Sequence, residues 1–195
     1  LWQKQTISEC VYTYYQDCFS RLADSVEHII RDTADWYKSH RELLLHADTA
    51  RYIAAGPYYA AAQEGGLKIA EASSISSLVY EQEEFMHTGT TQIHKDTLFF
   101  LLTPKEVEEQ RMQKLIRWCR MYSDRVILVG DQTHPLRDTK ALLCSFINDE
   151  YLSVMEYIVP FQLLAHLIAT ERGYSVVHAA NDGASAYLKT HTEEV

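Results

Sequence analysis

Apolar residues near the start of the chain recur at intervals dominated by three and four: Val11, Tyr14, Tyr15, Phe19, Leu22, Val26 and Ile29. That spacing lays an apolar stripe along one face and predicts helix from about Thr6 to His46, with Ser8 as the N-cap. Thr33 to Leu45 is read as more helix, either continuous with the first or separate. The bland role for this region is an outer layer that packs a core or a partner. The pattern changes at Thr49. Thr49 to Gly56 is a short strand ending in glycine, and Tyr58 to about Ser73 is an alanine-rich helical stretch carrying Gly65 and Gly66. Ser77 to Tyr80 is a second strand, and Thr97 to Leu102, stopped by Thr103-Pro104, is a third. Glu106 to Tyr122 is an amphipathic helix with Val107, Met112, Leu115, Ile116 and Cys119 on its apolar side. Arg125 to Gly130 is a fourth strand, Ala141 to Phe146 a fifth, and Tyr157 to Thr170 a long apolar helix. From about Gly173 the chain turns polar and irregular and is read as a surface tail.

Apolar strands alternating with helices of this length predict an α/β fold: a three-layer αβα sandwich around a five-stranded, mostly parallel sheet. Residues 1–47 are expected to form an N-terminal helical connector and 48–195 a single domain, since neither a repeat nor a long linker divides the chain. Rossmann and flavodoxin-like folds share this alternation. The first strand, however, is followed by Gly56-Pro57-Tyr58 rather than GxGxxG, and GxxxxGK[ST] occurs nowhere. A dinucleotide or a nucleoside triphosphate therefore has no support.

Composition narrows the class further. With 195 residues, 47% hydrophobic and 23% charged, the chain can bury one sizeable core and shows no sign of disorder. A formal net charge of -9 argues against nucleic acid, yet leaves room for one phosphate held by backbone N–H groups. Cysteines 10, 18, 119 and 144 form no CxxC pair, so neither a disulfide scaffold nor structural zinc is expected. His40 and His46 are six apart with no companion carboxylate at convincing spacing, so no metal is expected. The opening LWQKQTISEC lacks a basic region followed by an apolar run, and no uninterrupted apolar stretch approaches 18 residues. A cytoplasmic protein without membrane contact is the expectation. Leu1 in place of methionine suggests a processed start or part of something longer.

Several segments carry a more definite resemblance. The stretch from Ala54 to Gly89 reads AAGPYYAAAQEGGLKIAEASSISSLVYEQEEFMHTG. It resembles the second domain of the sugar isomerase (SIS) family as found in glucosamine-fructose-6-phosphate aminotransferase and related phosphosugar isomerases and deglycases. There a strand and glycine turn lead into a helix of the form EGALKLKE, then a strand and E-x-x-HGP. Here the helix reads Glu64-Gly65-Gly66-Leu67-Lys68-Ile69-Ala70-Glu71, and the later element Glu84-Phe85-Met86-His87. Sixteen positions separate Glu71 from His87, the family's own separation between its catalytic glutamate and histidine. Val159 to His166 is similar to the family's VPLQLLAY helix, Glu171 to Tyr174 to its ARGYD turn, and Tyr187 to Glu193 to its LAKSVTVE ending. The turn after the histidine departs from the pattern, reading His87-Thr88-Gly89, and Ser175 to Gly183 replaces D-x-x-x-P-R.

The resemblance implies roles. Glu71 would shuttle the proton between adjacent sugar carbons, and Lys68, three residues away on one helix face, would stabilise charge developing on the sugar oxygen. Spacing alone favours an ordinary surface ion pair. His87 would open the sugar ring, acting in the family on the substrate of a neighbouring subunit. Lys189 would form an imine or close the site with its charge. Gly56, Ser73 and Glu84 complete the set as substrate-binding positions, with Glu84 alternatively orienting His87 or capping the next helix. Gly65 and Gly66, poor helix formers, imply close packing between subunits or domains. The loop after the first strand has two tyrosines and no Ser or Thr to cradle phosphate. Three readings follow: a cofactor-free phosphosugar isomerase or deglycase completed by a second copy or a companion SIS domain, a non-catalytic phosphosugar-binding module, or an architectural half-enzyme. All three imply a sugar phosphate or an SIS partner rather than nucleic acid or membrane.

Overall fold

The computed structural model describes residues 2–103, 109–135, 139–147, 149 and 151–175. Its first long element, α1 (Glu9–Leu45), is a single helix of 37 residues, so the stretch from Thr33 is not a separate one. No Gly or Pro interrupts it, and Ser8 caps it as expected by accepting from the Val11 N–H at 3.3 Å. The chain continues through β1 (Thr49–Ala54), α2 (Tyr58–Ser73), β2 (Ser76–Glu81) and a short helix, α3 (Gln82–His87). After a 3-10 turn at Gly89–Gln92 come β3 (Leu98–Thr103), α4 (Glu109–Tyr122), β4 (Val126–Asp131), β5 (Leu142–Cys144) and α5 (Ser153–Glu171).

The five strands stand in the order β2-β1-β3-β4-β5, every neighbouring pair parallel. Alternate residues feed opposite layers, as the period of a strand dictates. Ala50, Tyr52, Phe100, Leu102, Ile127 and Val129 face α1, α2 and α5. Ile53, Phe99, Leu101, Val126 and Leu128 face α3 and α4. β3 and β4 are buried along their whole length, which is why they read as continuous apolar runs, whereas edge strand β2 alternates and leaves Leu78 exposed.

The connector helix joins this same core: Ile29, Tyr37 and Leu44 of α1 are buried in it. α5 is the middle helix of its layer, flanked by α1 and α2. By length and apolarity it would also suffice to cross a membrane, but half of that stretch is buried inside the fold.

The glycines of α2 serve this packing rather than a subunit contact. A Cβ on Gly65 would fall 2.5 Å from the Phe161 ring of α5, and one on Gly66 3.0 Å from Val79 of β2. Glycine thus lets α2 approach α5 and the sheet at once.

Candidate functional site

Because α2 runs antiparallel to the strands, its two ends lie at opposite edges of the sheet. Its first turn follows Gly56 at the carboxyl edge, and its last two turns, bearing Lys68 and Glu71, lie toward the amino edge. At about 1.5 Å per residue the 15 steps from Gly56 to Glu71 span roughly 22 Å. Gly56 and Glu71 therefore do not share a site within one chain.

At the amino edge the fold brings Lys68 and Glu71 together. The Lys68 Nζ donates to Glu71 Oε2 at 3.0 Å and lies 3.6 Å from Glu64 Oε1, one helical turn earlier. All three side chains lie on the outer stripe of α2, with Leu67 exposed among them. The Glu71 hydrogen bond is the main influence holding the Lys68 ammonium above its ordinary range, opposed by partial burial. Lys68 is therefore a cation and a donor here, not a base.

The backbone beneath this pair is closely tied. Ser73 is buried, and its hydroxyl donates to the Ile69 carbonyl at 2.5 Å, so it acts within α2 rather than toward a ligand. Ser74 takes the left-handed conformation that ends the helix. The guanidinium of Arg172, the residue that ends α5, reaches Ser73 O at 2.9 Å and also the carbonyls of Leu45 and Ala47. Sequence reasoning placed Arg172 in a turn and gave it no role.

His87 stands elsewhere. It closes α3, whose Phe85 is buried in the opposite layer against Phe99 and Tyr80. The sheet lies between His87 and Glu71, so one chain does not bring them together. Glu81, not Glu84, caps α3, accepting from the Glu83 N–H at 2.6 Å. The Glu84 carbonyl accepts from the N–H and hydroxyl of Thr88, while its side chain is exposed. In the His87-Thr88-Gly89 turn, a Cβ on Gly89 would fall 2.1 Å from the Phe85 ring, so this glycine seats α3 on its core. Lys189 lies outside the described residues, as does the tail from 176. The last described residues, Gly173 to Ser175, follow Arg172 at the same edge as Glu71.

The carboxyl edge is arranged differently. In a sheet of this order the chain reverses direction between β1 and β3, and ligands of such folds enter the crevice there. Gly56 turns the chain with φ +58° at this point, and α2 begins without a side-chain cap. Tyr58 then folds inward, its ring 4.9 Å from that of Tyr157, which in turn lies tilted against Phe146 at 4.3 Å. The Tyr157 hydroxyl donates to Thr103 O at 3.3 Å. Beyond them, buried carboxylates are committed to the fold: Asp131 accepts from the N–H groups of Thr133 and Phe146, and Glu156 from Ile147 and the Ser25 hydroxyl. Among the described residues, no cluster of three His, Cys, Asp or Glu side chains suits a metal ion.

Comparison with known proteins agrees with this architecture. Residues 43–164 match the model of the SIS domain family. The glutamine–fructose-6-phosphate aminotransferase (isomerizing) of Lactiplantibacillus plantarum is 27% identical over 156 residues, 80% of this chain but 25% of that protein. The chain thus spans about a quarter of the length of such curated relatives. Among solved structures, a candidate phosphosugar isomerase of Clostridium difficile superposes with a TM-score of 0.87 at 23% identity, over 98% of this chain and 53% of that one. The C-terminal domain of the Francisella tularensis glucosamine-fructose-6-phosphate aminotransferase superposes with a TM-score of 0.78 at 17% identity, over 89% and 49%. With its parallel sheet, its α2 charge pair and a family match over most of its length, the chain belongs to the SIS domain family.

Proposed function

We propose that the chain supplies the proton-transfer groups of a phosphosugar isomerase or deglycase whose site is completed by a second SIS domain, either another copy or a companion. The observation that carries this reading is the solvent-facing Lys68–Glu71 pair at 3.0 Å on a tightly anchored helix end. Glu71 removes the proton from the carbon beside the sugar carbonyl. Lys68, held cationic, stabilises the enediolate oxygen that results, and the same carboxyl returns the proton to the adjacent carbon. Proton and electrons are conserved, so the step needs no redox partner. His87, on the opposite face, serves the ring-opening step on a substrate held by a neighbouring chain, and Lys189 forms an imine with the ketose or closes the site with its charge. Gly56 and Glu84 belong to the phosphosugar contacts of the completed assembly.

Proton NMR in deuterated buffer tests this with fructose 6-phosphate and glucosamine 6-phosphate. Deuterium should enter at the carbons flanking the carbonyl, and Glu71→Gln should slow its entry by at least a hundredfold. Exchange at the wild-type rate in that variant would remove Glu71 from the mechanism. A second reading, an architectural half-enzyme lacking a complete ligand site, is favoured by one observation: the loop after β1 has no Ser or Thr to hold phosphate, and its Tyr58 is buried against the Tyr157 ring. Micromolar phosphosugar binding by the chain would overturn it.

A further inference from the structure

The amino edge holds a side chain whose connections reach further than those of the charge pair itself. Arg172 donates from Nε to Leu45 O at 3.1 Å, from Nη1 to Ser73 O at 2.9 Å, and from Nη2 to Leu44, Leu45 and Ala47 O at 3.4, 2.8 and 2.6 Å. Three of these carbonyls belong to the end of α1 and its link to β1; the fourth is the last residue of α2. Arg172 itself ends α5, its own N–H bonding Ile168 O at 2.9 Å. One guanidinium thus joins the C-terminal ends of all three helices in this layer.

Such an end leaves its last carbonyls without intrahelical partners and carries the negative pole of the helix, so a cation is suited to it. A planar fork of N–H donors can serve several carbonyls in fixed directions, which an ammonium cannot. Ser73 is two residues beyond Glu71. Inside the turn, Ser73 and Ser74 bond back to Ile69 and Ala70, and these bonds do not relate the turn to α1 or α5. The Arg172–Ser73 bond does, across 99 residues of sequence. The residue that follows, Gly173, turns at φ +75°, and the Tyr174 N–H then bonds back to Ala169 O at 2.9 Å.

We infer that Arg172 is the positioning residue for the Lys68–Glu71 pair, holding the last turn of α2 at a set height and rotation against α1 and α5. This rests on the function proposed for that pair, but its structural half stands apart from it. Arg172 touches no substrate. Its contribution passes through the backbone of Ser73.

The test compares wild type with Arg172→Lys and Arg172→Ala, using Arg41→Gln as control. The control removes the Arg41–Glu171 ion pair, 3.3 Å long, at the same edge. Amide hydrogen exchange is read along α2, and deuterium entry into fructose 6-phosphate is read as a maximal rate and a half-saturating concentration. Arg172→Lys keeps the positive charge and guards against failure of the alanine variant to fold. The expected result is exchange at least tenfold faster at Ala72, Ser73 and Ser74 in Arg172→Lys, with the first turns of α2 unchanged. The maximal rate should fall at least tenfold while half-saturation moves less than threefold, and the control should alter neither. Wild-type protection at Ser73 and Ser74 in both Arg172 variants would overturn the inference, as would faster exchange along all of α2, the mark of general loosening. A wild-type protein that transfers no deuterium would sink the proposed function instead, with the amide readout still deciding whether Arg172 sets this turn. Deuterium transfer that Glu71→Gln abolishes but Arg172→Lys leaves intact would sink the positioning role and leave the function standing.

Discussion

Gly65 and Glu156 show how much of this chain is decided by single atoms. A methyl group at Gly65 would meet the Phe161 ring at 2.5 Å. Gly65→Ala should therefore cost about 1–3 kcal/mol in urea unfolding, despite the better helix propensity of alanine. An unchanged midpoint would mean that α5 can retreat freely. Glu156 is fully buried, and burial is the largest influence on it, pushing its carboxyl above the ordinary 4.5 against the hydrogen bonds from Ser25 and Ile147. The folded chain thus holds this proton more tightly than the unfolded chain. Its stabilising contribution is full below about pH 4.5 and is lost as pH rises through the raised value. Glu156→Gln should flatten the fall in stability over that window, read as melting temperature against pH; an equally steep fall in the variant would assign it to other groups. Residue-level legibility followed sequence distance. The Lys68–Glu71 pair was readable because helix geometry brings neighbours three apart together. Arg172 was not, because the carbonyls of Leu44 and Ser73 lie 128 and 99 residues away and leave no local pattern.

Among the elements, the long apolar runs were legible and the short, half-polar ones were not. β3 and β4 declared themselves because burial on both faces demands unbroken apolar sequence. α3 escaped because six residues, QEEFMH, are too few to show helical periodicity, and its one buried aromatic is Phe85. β5 is shorter than Ala141 to Phe146 suggested, because the backbone after Cys144 pairs with carboxylates: Ser145 with Asp32, Phe146 with Asp131 and Ile147 with Glu156. α3 is held by the Glu81 cap, by Phe85 and by the close approach of Gly89. Gly89→Ala should accordingly loosen α3 first, raising amide exchange from Phe85 to Thr88 while costing about 1–3 kcal/mol overall. If these amides kept their protection, the turn beside His87 would be more adaptable than its packing implies.

For the molecule as a whole, the placement of α2 and α3 on opposite faces sets the arithmetic of activity. On the proposed assignment of Glu71 to one site and His87 to its neighbour's, neither Glu71→Gln nor His87→Asn chains alone should support turnover. Mixed in equal amounts and reassembled as dimers, they should regain about a quarter of wild-type activity, since half the dimers are mixed and each restores one of two sites. No recovery on mixing would place both residues in the service of one chain's own site. The three-layer sandwich and the parallel sheet were legible here, but the distance between the proposed groups was not, because sixteen residues of sequence cross from one side of the sheet to the other. The α2 helix also divides its labour cleanly. Its inner side, with Gly65, Gly66 and Ile69, is bound by the shapes of Phe161, Val79 and Tyr52, while its outer side carries the half-buried Glu64 and Lys68 and the exposed Glu71. Chemistry and architecture are therefore separately editable. A lineage can silence or retune the charged stripe without forfeiting the scaffold, which is how a catalyst can drift into a sensor and keep its shape.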